Sequence, residues 1–205
     1  MGWGESKCLN ILGTGRFGTV IRGIHKGRNV AVKVVKTTNS AREKNSFNLH
    51  HPNIVKTIDV IEQKGENFSL IVMEYFPNSR QLQSLVEDVN VCLKNKIISF
   101  AKQICEGVKF CHTNKVLHLD IKPQNILVCE DVCKLCDFGN SVRLSDIQAF
   151  KHQGTVPYTA PELLQGKCPN EQCDIYSLGI LYWQLRSRKN PYYEIDNIET
   201  VIYKV

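Results

Sequence analysis

Apolar residues along the first part of the chain form short runs that predict β-strands. The runs are rich in β-branched and aromatic residues and are bounded by Gly, Asn and Pro, as strands usually are. They cover residues 8–12, 19–21, 29–35 and 68–73. Only one short helix is predicted among them, over residues 39–49. The region up to about residue 76 is therefore expected to be rich in β-structure.

The period of the apolar residues changes from about residue 90 onwards. Six residues recur at helical spacing and give one helix an apolar face: Ile97, Phe100, Ala101, Ile104, Val108 and Cys111. A second helix is predicted over residues 174–185. The sequence Pro77-Asn78-Ser79 lies between the β-rich part and the helical part, as a short linker would. We expect an α+β protein with a β-rich lobe over residues 1–76 and a mostly helical lobe over residues 77–205.

Composition and charge exclude several classes of protein. The chain has 205 residues, of which 42% are hydrophobic, and a net charge of +6 that is spread without a basic block. We therefore expect a globular protein that does not bind nucleic acid, and nothing in the sequence implies an oligomer. No apolar stretch is long enough to span a membrane and no secretory signal is present, so a cytoplasmic location is expected. The nine cysteines are then expected to be reduced thiols.

Three glycines form a motif between two predicted strands, Gly13-Thr-Gly15-Arg-Phe-Gly18-Thr-Val20. In a dinucleotide-binding fold such glycines open a helix, whereas here a strand follows them. The context favours a hairpin flap over the phosphates of ATP, because glycines let the backbone approach phosphate oxygens closely. Taken alone, the motif remains open to the alternative of a glycine-rich hairpin without a ligand.

Lys33 ends the apolar strand Val30-Ala-Val-Lys33, fifteen residues after Gly18. A buried ammonium without an anion is energetically costly, so Lys33 is expected to meet a phosphate or a carboxylate. The alternative is a lysine that extends from the strand end to solvent. The glycine motif upstream favours the first interpretation.

The segment His118-Leu-Asp120-Ile-Lys122-Pro-Gln-Asn125 carries the strongest chemical signal. It combines a carboxylate, an ammonium and a carboxamide in one loop after the long helix, and phosphoryl transfer requires all three. Asp120 can orient a substrate hydroxyl and accept its proton, Lys122 can stabilise charge on the phosphoryl group, and Asn125 can bind Mg²⁺. Asp137 of Asp137-Phe-Gly supplies a second metal ligand.

Two further motifs follow Asp137 in the sequence, namely Thr155 with Ala160-Pro-Glu162, and the helix start Asp174-Ile-Tyr-Ser. Glu162 and Asp174 are interpreted as structural. A carboxylate at an apolar helix start is expected to accept hydrogen bonds from backbone N–H groups, here those of the catalytic loop.

From the glycine motif to beyond Ala-Pro-Glu, the chain resembles the eukaryotic protein kinase superfamily. Within it, residues 116–128 and 131–139 are similar to the Mos serine/threonine kinases, as are residues 160–166 and 174–177. The resemblance implies a bilobal kinase fold that binds ATP and Mg²⁺ and phosphorylates a protein substrate. For Mos kinases that substrate is a MAP kinase kinase, in the MAP kinase cascade of oocyte meiosis.

The resemblance also implies roles for residues around the nucleotide. Met73 would be the gatekeeper, and Glu74 to Phe76 would be the hinge that contacts adenine through backbone groups. The adenine ring would lie between three apolar side chains, those of Val20, Ala31 and Leu127. Lys122 together with Thr155 resembles serine/threonine kinases and not tyrosine kinases.

Two features depart from the kinase pattern. Glu43 is the best candidate for the ion-pair partner of Lys33, yet only nine residues separate them, about half the usual number in the family. The regulatory helix is therefore expected to be short, and a poor fit would weaken the enzyme. The chain also ends at Val205, before the last helices of a kinase lobe, so a fragment is the expectation, in which Glu162 lacks its usual Arg partner.

Two alternatives remain open from the sequence. Cys129, Cys133 and Cys136 have spacings seen in zinc sites, but strand alternation directs them apart and a tetrahedral site needs four converging ligands. Cys136, next to Asp137, is a candidate thiol facing the ATP site. The competing function is a pseudokinase or scaffold, although such proteins usually lack at least one of the catalytic residues present here.

Overall fold

The N-terminal part of the chain forms a five-stranded antiparallel sheet. The computed structural model describes residues 10–15, 18–62, 65–149 and 154–204. The sheet has the order β1-β2-β3-β5-β4. Its strands are β1 (Ile11–Gly15), β2 (Gly18–His25), β3 (Arg28–Lys36), β4 (Thr57–Glu62) and β5 (Phe68–Glu74). The four predicted strands correspond to β1, β2, β3 and β5, although Cys8, where the first was expected to begin, lies outside the described residues.

Pairing in this sheet places the predicted nucleotide-binding residues on one face. Val20 lies opposite Lys33, and Ala31 lies opposite Met73. Since alternate residues of a strand share a face, Ala31 and Lys33 point the same way. The side chains of all four residues therefore lie on the same side of the sheet.

The predicted helix over residues 39–49 is shorter than expected and begins earlier. Helix α1 covers Thr37–Glu43 and continues as a 3₁₀ turn over Lys44–Ser46. The Ser46 hydroxyl donates to the Glu43 carbonyl at 2.7 Å. Such a bond competes with helical pairing, which explains why the helix ends there.

The rest of the described chain is mostly helical, with two small sheets. The helices are α2 (Leu82–Glu87), α3 (Ile97–Thr113), α4 (Pro161–Leu164), α5 (Glu171–Ser187) and α6 (Ile198–Lys204). One sheet has the order β6-β8-β9, and the other pairs β7 with β10. Their strands are β6 (Arg80–Gln81), β7 (Val116–Leu117), β8 (Ile126–Cys129), β9 (Val132–Leu135) and β10 (Val142–Arg143). No helix among the described residues is long and apolar enough to cross a membrane.

Helix α3 provides the centre of the larger core. Five of the six residues predicted on its apolar face are buried, and Ala101 is half-buried. They pack against β7, β9 and helix α5. Helix α5 begins a few residues before the predicted Asp174, because the Asn170 side chain caps it by accepting from the Gln172 N–H at 2.9 Å.

Candidate active site

Lys33 lies between two carboxylates that reach it from different parts of the chain. Its Nζ forms an ion pair with Glu43 of α1 and another with Asp137 at 2.7 Å. Lys33 and Glu43 are both buried, with 4% and 2% of their surface exposed. The predicted ion pair between Lys33 and Glu43 is therefore present despite the short helix.

The three charges shift one another's protonation. Burial lowers the pKa of Lys33, but Glu43 and Asp137 more than compensate and raise this pKa to about 12. Burial raises the pKa of Asp137, but the Lys33 ammonium outweighs it and holds this pKa below the usual value. For Glu43 burial dominates, and its pKa is raised. Lys33 is thus charged at neutral pH.

Asp120, Lys122 and Thr155 form a second polar cluster. The Lys122 ammonium donates to Asp120 Oδ2 at 2.8 Å and to Thr155 Oγ1 at 2.6 Å. The Thr155 hydroxyl donates to Asp120 Oδ1 at 2.9 Å. Asn125 donates through its carboxamide nitrogen to the Asp120 carbonyl and to Oδ2, at 2.8 and 2.9 Å. The Asp120 carboxylate is held from three sides, so its orientation is fixed.

The backbone of the catalytic loop is held in a strained conformation by Asp174. Leu119 has φ = 61°, a left-handed value that is unfavourable for leucine. The Asp174 carboxylate accepts from the N–H groups of His118 at 2.9 Å and Leu119 at 2.8 Å. The predicted structural role of Asp174 as an acceptor for this loop is confirmed. Asp137 also has a positive φ, of 65°.

Of the three glycines in the motif, Gly18 is the one whose surroundings leave no room for a side chain. A Cβ atom built on it would lie 2.0 Å from the Val34 carbonyl oxygen, and its φ is +144°. Gly13 and Gly15 lie in β1, which pairs with β2, and nothing crowds a Cβ at either position. The two residues at the tip of the motif, 16 and 17, lie outside the described part.

The predicted hinge is tied to β9 by a contact that the sequence did not indicate. Lys134 Nζ donates to Glu74 Oε1 at 2.7 Å and lies 5.5 Å from the centre of the Phe76 ring. The N–H of Glu74 is already bonded to the Lys56 carbonyl. Leu127 lies in β8 opposite Lys134 and is half-buried. Glu74 and Lys134 lie 60 positions apart in the sequence, which explains why no local pattern marks this pair.

Asn125 and Asp137 offer oxygen atoms of the type that Mg²⁺ prefers. Asn125 uses its carboxamide nitrogen for Asp120, which leaves its carboxamide oxygen for a metal. Asp137 uses Oδ1 for Lys33 and for the Gly139 N–H, and among the described residues no hydrogen bond reaches Oδ2. The donor set therefore fits a hard divalent cation.

The cysteines show no arrangement for zinc in the described part of the chain. No group of three or more His, Cys, Asp or Glu residues converges there as a metal site. Cys129 and Cys133 lie in β8 and β9, as expected. The Cys136 thiol donates to the Asn125 carbonyl at 3.3 Å, and burial raises its pKa.

Comparison with known proteins identifies the class to which this fold and site belong. The model of the protein kinase domain family matches residues 7–204. The chain belongs to the protein kinase family, and its fold is the α+β kinase fold that the motifs predicted.

Two groups of kinases are similar to this chain over most of its length. The Mos kinase of Rattus norvegicus is 35% identical over 93% of this chain and 64% of its own length. The Mos kinase of Patiria pectinifera is 34% identical over 100% of this chain and 63% of its own length. The mitogen-activated protein kinase kinase kinase dlk-1 of Caenorhabditis briggsae is 35% identical over 94% of this chain and 22% of its own length. The chain thus spans less than two thirds of the length of each of these relatives.

Proposed function

We propose that the protein transfers the γ-phosphoryl group of Mg-ATP to a serine or threonine hydroxyl of a protein substrate. The observation that carries the proposal is the triad in which Lys33 meets both Glu43 and Asp137. In protein kinases a lysine–glutamate ion pair and the metal-binding aspartate must both be in place for phosphoryl transfer. The short α1 brings Glu43 to Lys33, and Asp137 lies beside the same lysine.

Asp120 is proposed to orient the substrate hydroxyl and accept its proton. Lys122 and the Thr155 hydroxyl hold its carboxylate from two sides, and Asn125 holds it from a third. A general base contributes most when its position is fixed before the reaction, because little reorganisation is then needed. Lys122 is also placed to stabilise negative charge on the transferring group.

Mg²⁺ would be held by the carboxamide oxygen of Asn125 and by the carboxylate of Asp137. When bound, it would neutralise charge on the phosphates. Lys33, which is charged at neutral pH, would bind phosphate oxygens from the sheet side. The glycines of β1 and β2 would cover the phosphates, since a Cβ at Gly13 or Gly15 meets no atom within 4 Å and glycine lets the backbone approach phosphate oxygens closely.

Adenine is proposed to bind beneath the face of the sheet that carries Val20, Ala31 and Met73, with Leu127 on its other side. Because the N–H of Glu74 is bonded to Lys56, contacts of adenine with the hinge fall to the remaining backbone groups of Glu74 to Phe76. This arrangement supports a lobe boundary at residues 76 and 77, since β5 ends at Glu74 and β6 already pairs with β8.

We further propose a MAP kinase kinase as the substrate, in the cytoplasm. The support is that Mos kinases and a mitogen-activated protein kinase kinase kinase have similar identity to this chain. A catalytically dead MAP kinase kinase would be offered to the purified protein alongside an unrelated protein kinase. Selective phosphorylation of the first supports the assignment, and equal labelling of both contradicts it.

The activity itself is tested with Asp137→Asn. This variant keeps the size of the side chain but removes a charged metal ligand, so phosphotransfer should fall below detection. Asp146→Asn, a change of the same kind at an exposed residue, is the matched control and should retain activity. A pseudokinase would show no Mg-dependent transfer in the unmutated protein, and retained turnover in Asp137→Asn would disprove the proposed metal site.

A further inference from the structure

Helix α1 carries Glu43 but has no buried apolar residue to hold it in place. Its buried residues are Ser40 and Glu43, and those of the following 3₁₀ turn are Asn45 and Ser46. Phe47, the next residue, is 42% exposed. A helix of seven residues is not stable by propensity alone. The position of α1 must therefore depend on polar contacts.

The residues on either side of Glu43 bond to one serine in the segment after Asp137. Asn45 Nδ2 donates to the Ser141 carbonyl at 3.2 Å and to its hydroxyl oxygen at 3.0 Å. The Ser141 hydroxyl donates in turn to the Arg42 carbonyl at 2.9 Å. Asn45 and Ser141 have 8% and 1% of their surface exposed. We call these three hydrogen bonds the Asn45–Ser141 clamp.

The clamp is anchored to the catalytic residues. The Ser141 N–H donates to the Phe138 carbonyl at 3.0 Å in a turn directly after Asp137. The neighbouring Asn140 donates to the Leu119 carbonyl at 2.9 Å, next to Asp120. The segment that receives α1 is thus itself fixed to the metal-binding and catalytic loops.

We propose that Asn45 and Ser141 are positioning residues, which hold Glu43 of the short helix against Lys33 and so keep the site competent for phosphoryl transfer. This inference rests on the proposed kinase function. A buried hydrogen-bonding group left without a partner is unfavourable, so the clamp opposes movement of α1 away from the segment. Because Arg42 and Asn45 lie on either side of Glu43 along the chain, the clamp that holds them also restricts movement of Glu43.

A different polar contact of α1 provides a matched control. The Ser40 hydroxyl donates to Glu62 Oε1 at 2.6 Å, and Glu62 also pairs with Lys44. Ser40 is as buried as the clamp residues, with 3% of its surface exposed. Its contact joins α1 to the sheet and does not involve the segment after Asp137. Ser40→Ala therefore removes a buried hydroxyl from the same helix while leaving the clamp intact.

The test compares Asn45→Ala, Ser141→Ala, their double variant and Ser40→Ala in the full chain. The kcat and the KM values for ATP and peptide are measured together with thermal stability. A second readout is the rate at which an N-hydroxysuccinimide ester acylates Lys33, followed by mass spectrometry of the Lys33 peptide. The Lys33 amine is buried between two carboxylates, with 4% of the residue's surface exposed, so acylation reports release of the ion pair without requiring turnover.

If the proposal is right, Asn45→Ala and Ser141→Ala each lower kcat by about tenfold, leave the KM for peptide unchanged and accelerate acylation of Lys33. The double variant should be worse than either single variant, because each single variant leaves one of the three hydrogen bonds of the clamp. Its effect should be smaller than the product of the two single effects, because both single variants already remove the bond between Asn45 and the Ser141 hydroxyl. Ser40→Ala should lower stability while both readouts stay near those of the unmutated protein.

The proposal would be overturned if Asn45→Ala and Ser141→Ala left acylation unchanged and kept kcat within about twofold of the unmutated protein. It would also be overturned if Ser40→Ala changed kcat and acylation as much as these two variants do. If Asn45→Ala does not fold, Ser141→Cys, which is similar in size but a weaker donor and acceptor, should still accelerate acylation, and no acceleration counts against the clamp. A folded, unmutated protein without phosphotransfer would refute the kinase function alone, because acylation still decides whether the clamp holds Glu43.

Discussion

Asp174→Asn should destabilise the protein strongly although Asp174 does not face the proposed substrate. The carboxylate is fully buried and accepts from the N–H groups of His118 and Leu119 and from His112 Nε2 at 2.8 Å. The carboxamide of asparagine has only one oxygen. Its NH₂ group would therefore face at least one N–H donor.

The magnitude follows from these three contacts. A hydrogen bond to a charged group contributes about 1.5–3 kcal/mol, and a buried donor left without a partner adds to the loss. The same carboxylate holds Leu119 at a left-handed φ. Replacing Asp174 relieves part of this backbone strain, which reduces the loss of stability. We expect a net loss of about 4 kcal/mol in the free energy of unfolding. For a chain of this size, this loss lowers the Tm by about 8–16 °C.

The assay is thermal and urea unfolding followed by circular dichroism, with Asp131→Asn as the control. Asp131 pairs with Lys96, but its side chain is 77% exposed, and such surface pairs contribute at most about 1 kcal/mol. The control should shift the Tm by only a few degrees. A loss of under about 1 kcal/mol for Asp174→Asn, or an equal loss in both variants, would refute the role assigned to Asp174.

Three further predictions concern activity. Asp120→Asn should lower kcat by about 10²–10⁴-fold while the Kd for ATP, measured by calorimetry, stays nearly constant; a large loss of ATP affinity would mean that Asp120 has another role. Kinases selective for Arg-rich substrates resemble one another in carrying Glu at the positions of Gln124 and Gln184, whereas this chain has uncharged side chains there and Gln184 is fully buried, accepting from Tyr158 at 2.6 Å. Peptide arrays should therefore show no strong selection for Arg before the acceptor, and strong selection would contradict this. Leu119 lies where, by resemblance, most regulated kinases have an Arg that pairs with a phosphate on the segment after Asp137; a buried leucine cannot form this pair. Phosphatase treatment should therefore lower the initial rate by much less than about a hundredfold, whereas a loss of that size would reveal a phosphate-binding site elsewhere.

The sequence predicted which polar groups lie together around Asp120, because they belong to one motif of closely spaced residues. Asp120, Lys122 and Asn125 share one loop, and this short spacing is itself what brings them together. The strand over residues 29–35 was predicted for a similar reason, since a run of β-branched residues is a local signal. The long α3 was equally clear from its period.

Other features of the site depend on contacts between distant residues, which leave no local pattern. Asn45 and Ser141 lie 96 positions apart, and nothing around either residue indicates the other. The end of α1 was predicted too late because Ser46 bonds back to the helix. Strand β4 was not predicted, although its alternating apolar and polar residues would have indicated it. The two-residue strands β6, β7 and β10 are too short to carry a period.

The account is tested most directly by phosphotransfer from γ-labelled ATP in the presence of Mg²⁺, with identification of the labelled amino acid. The account predicts label on serine or threonine of the protein substrate with the unmutated protein. It predicts no label with Lys33→Met, which removes the charge that Glu43 and Asp137 surround. Absence of transfer by the folded, unmutated protein, or equal transfer by Lys33→Met, would contradict the central claim.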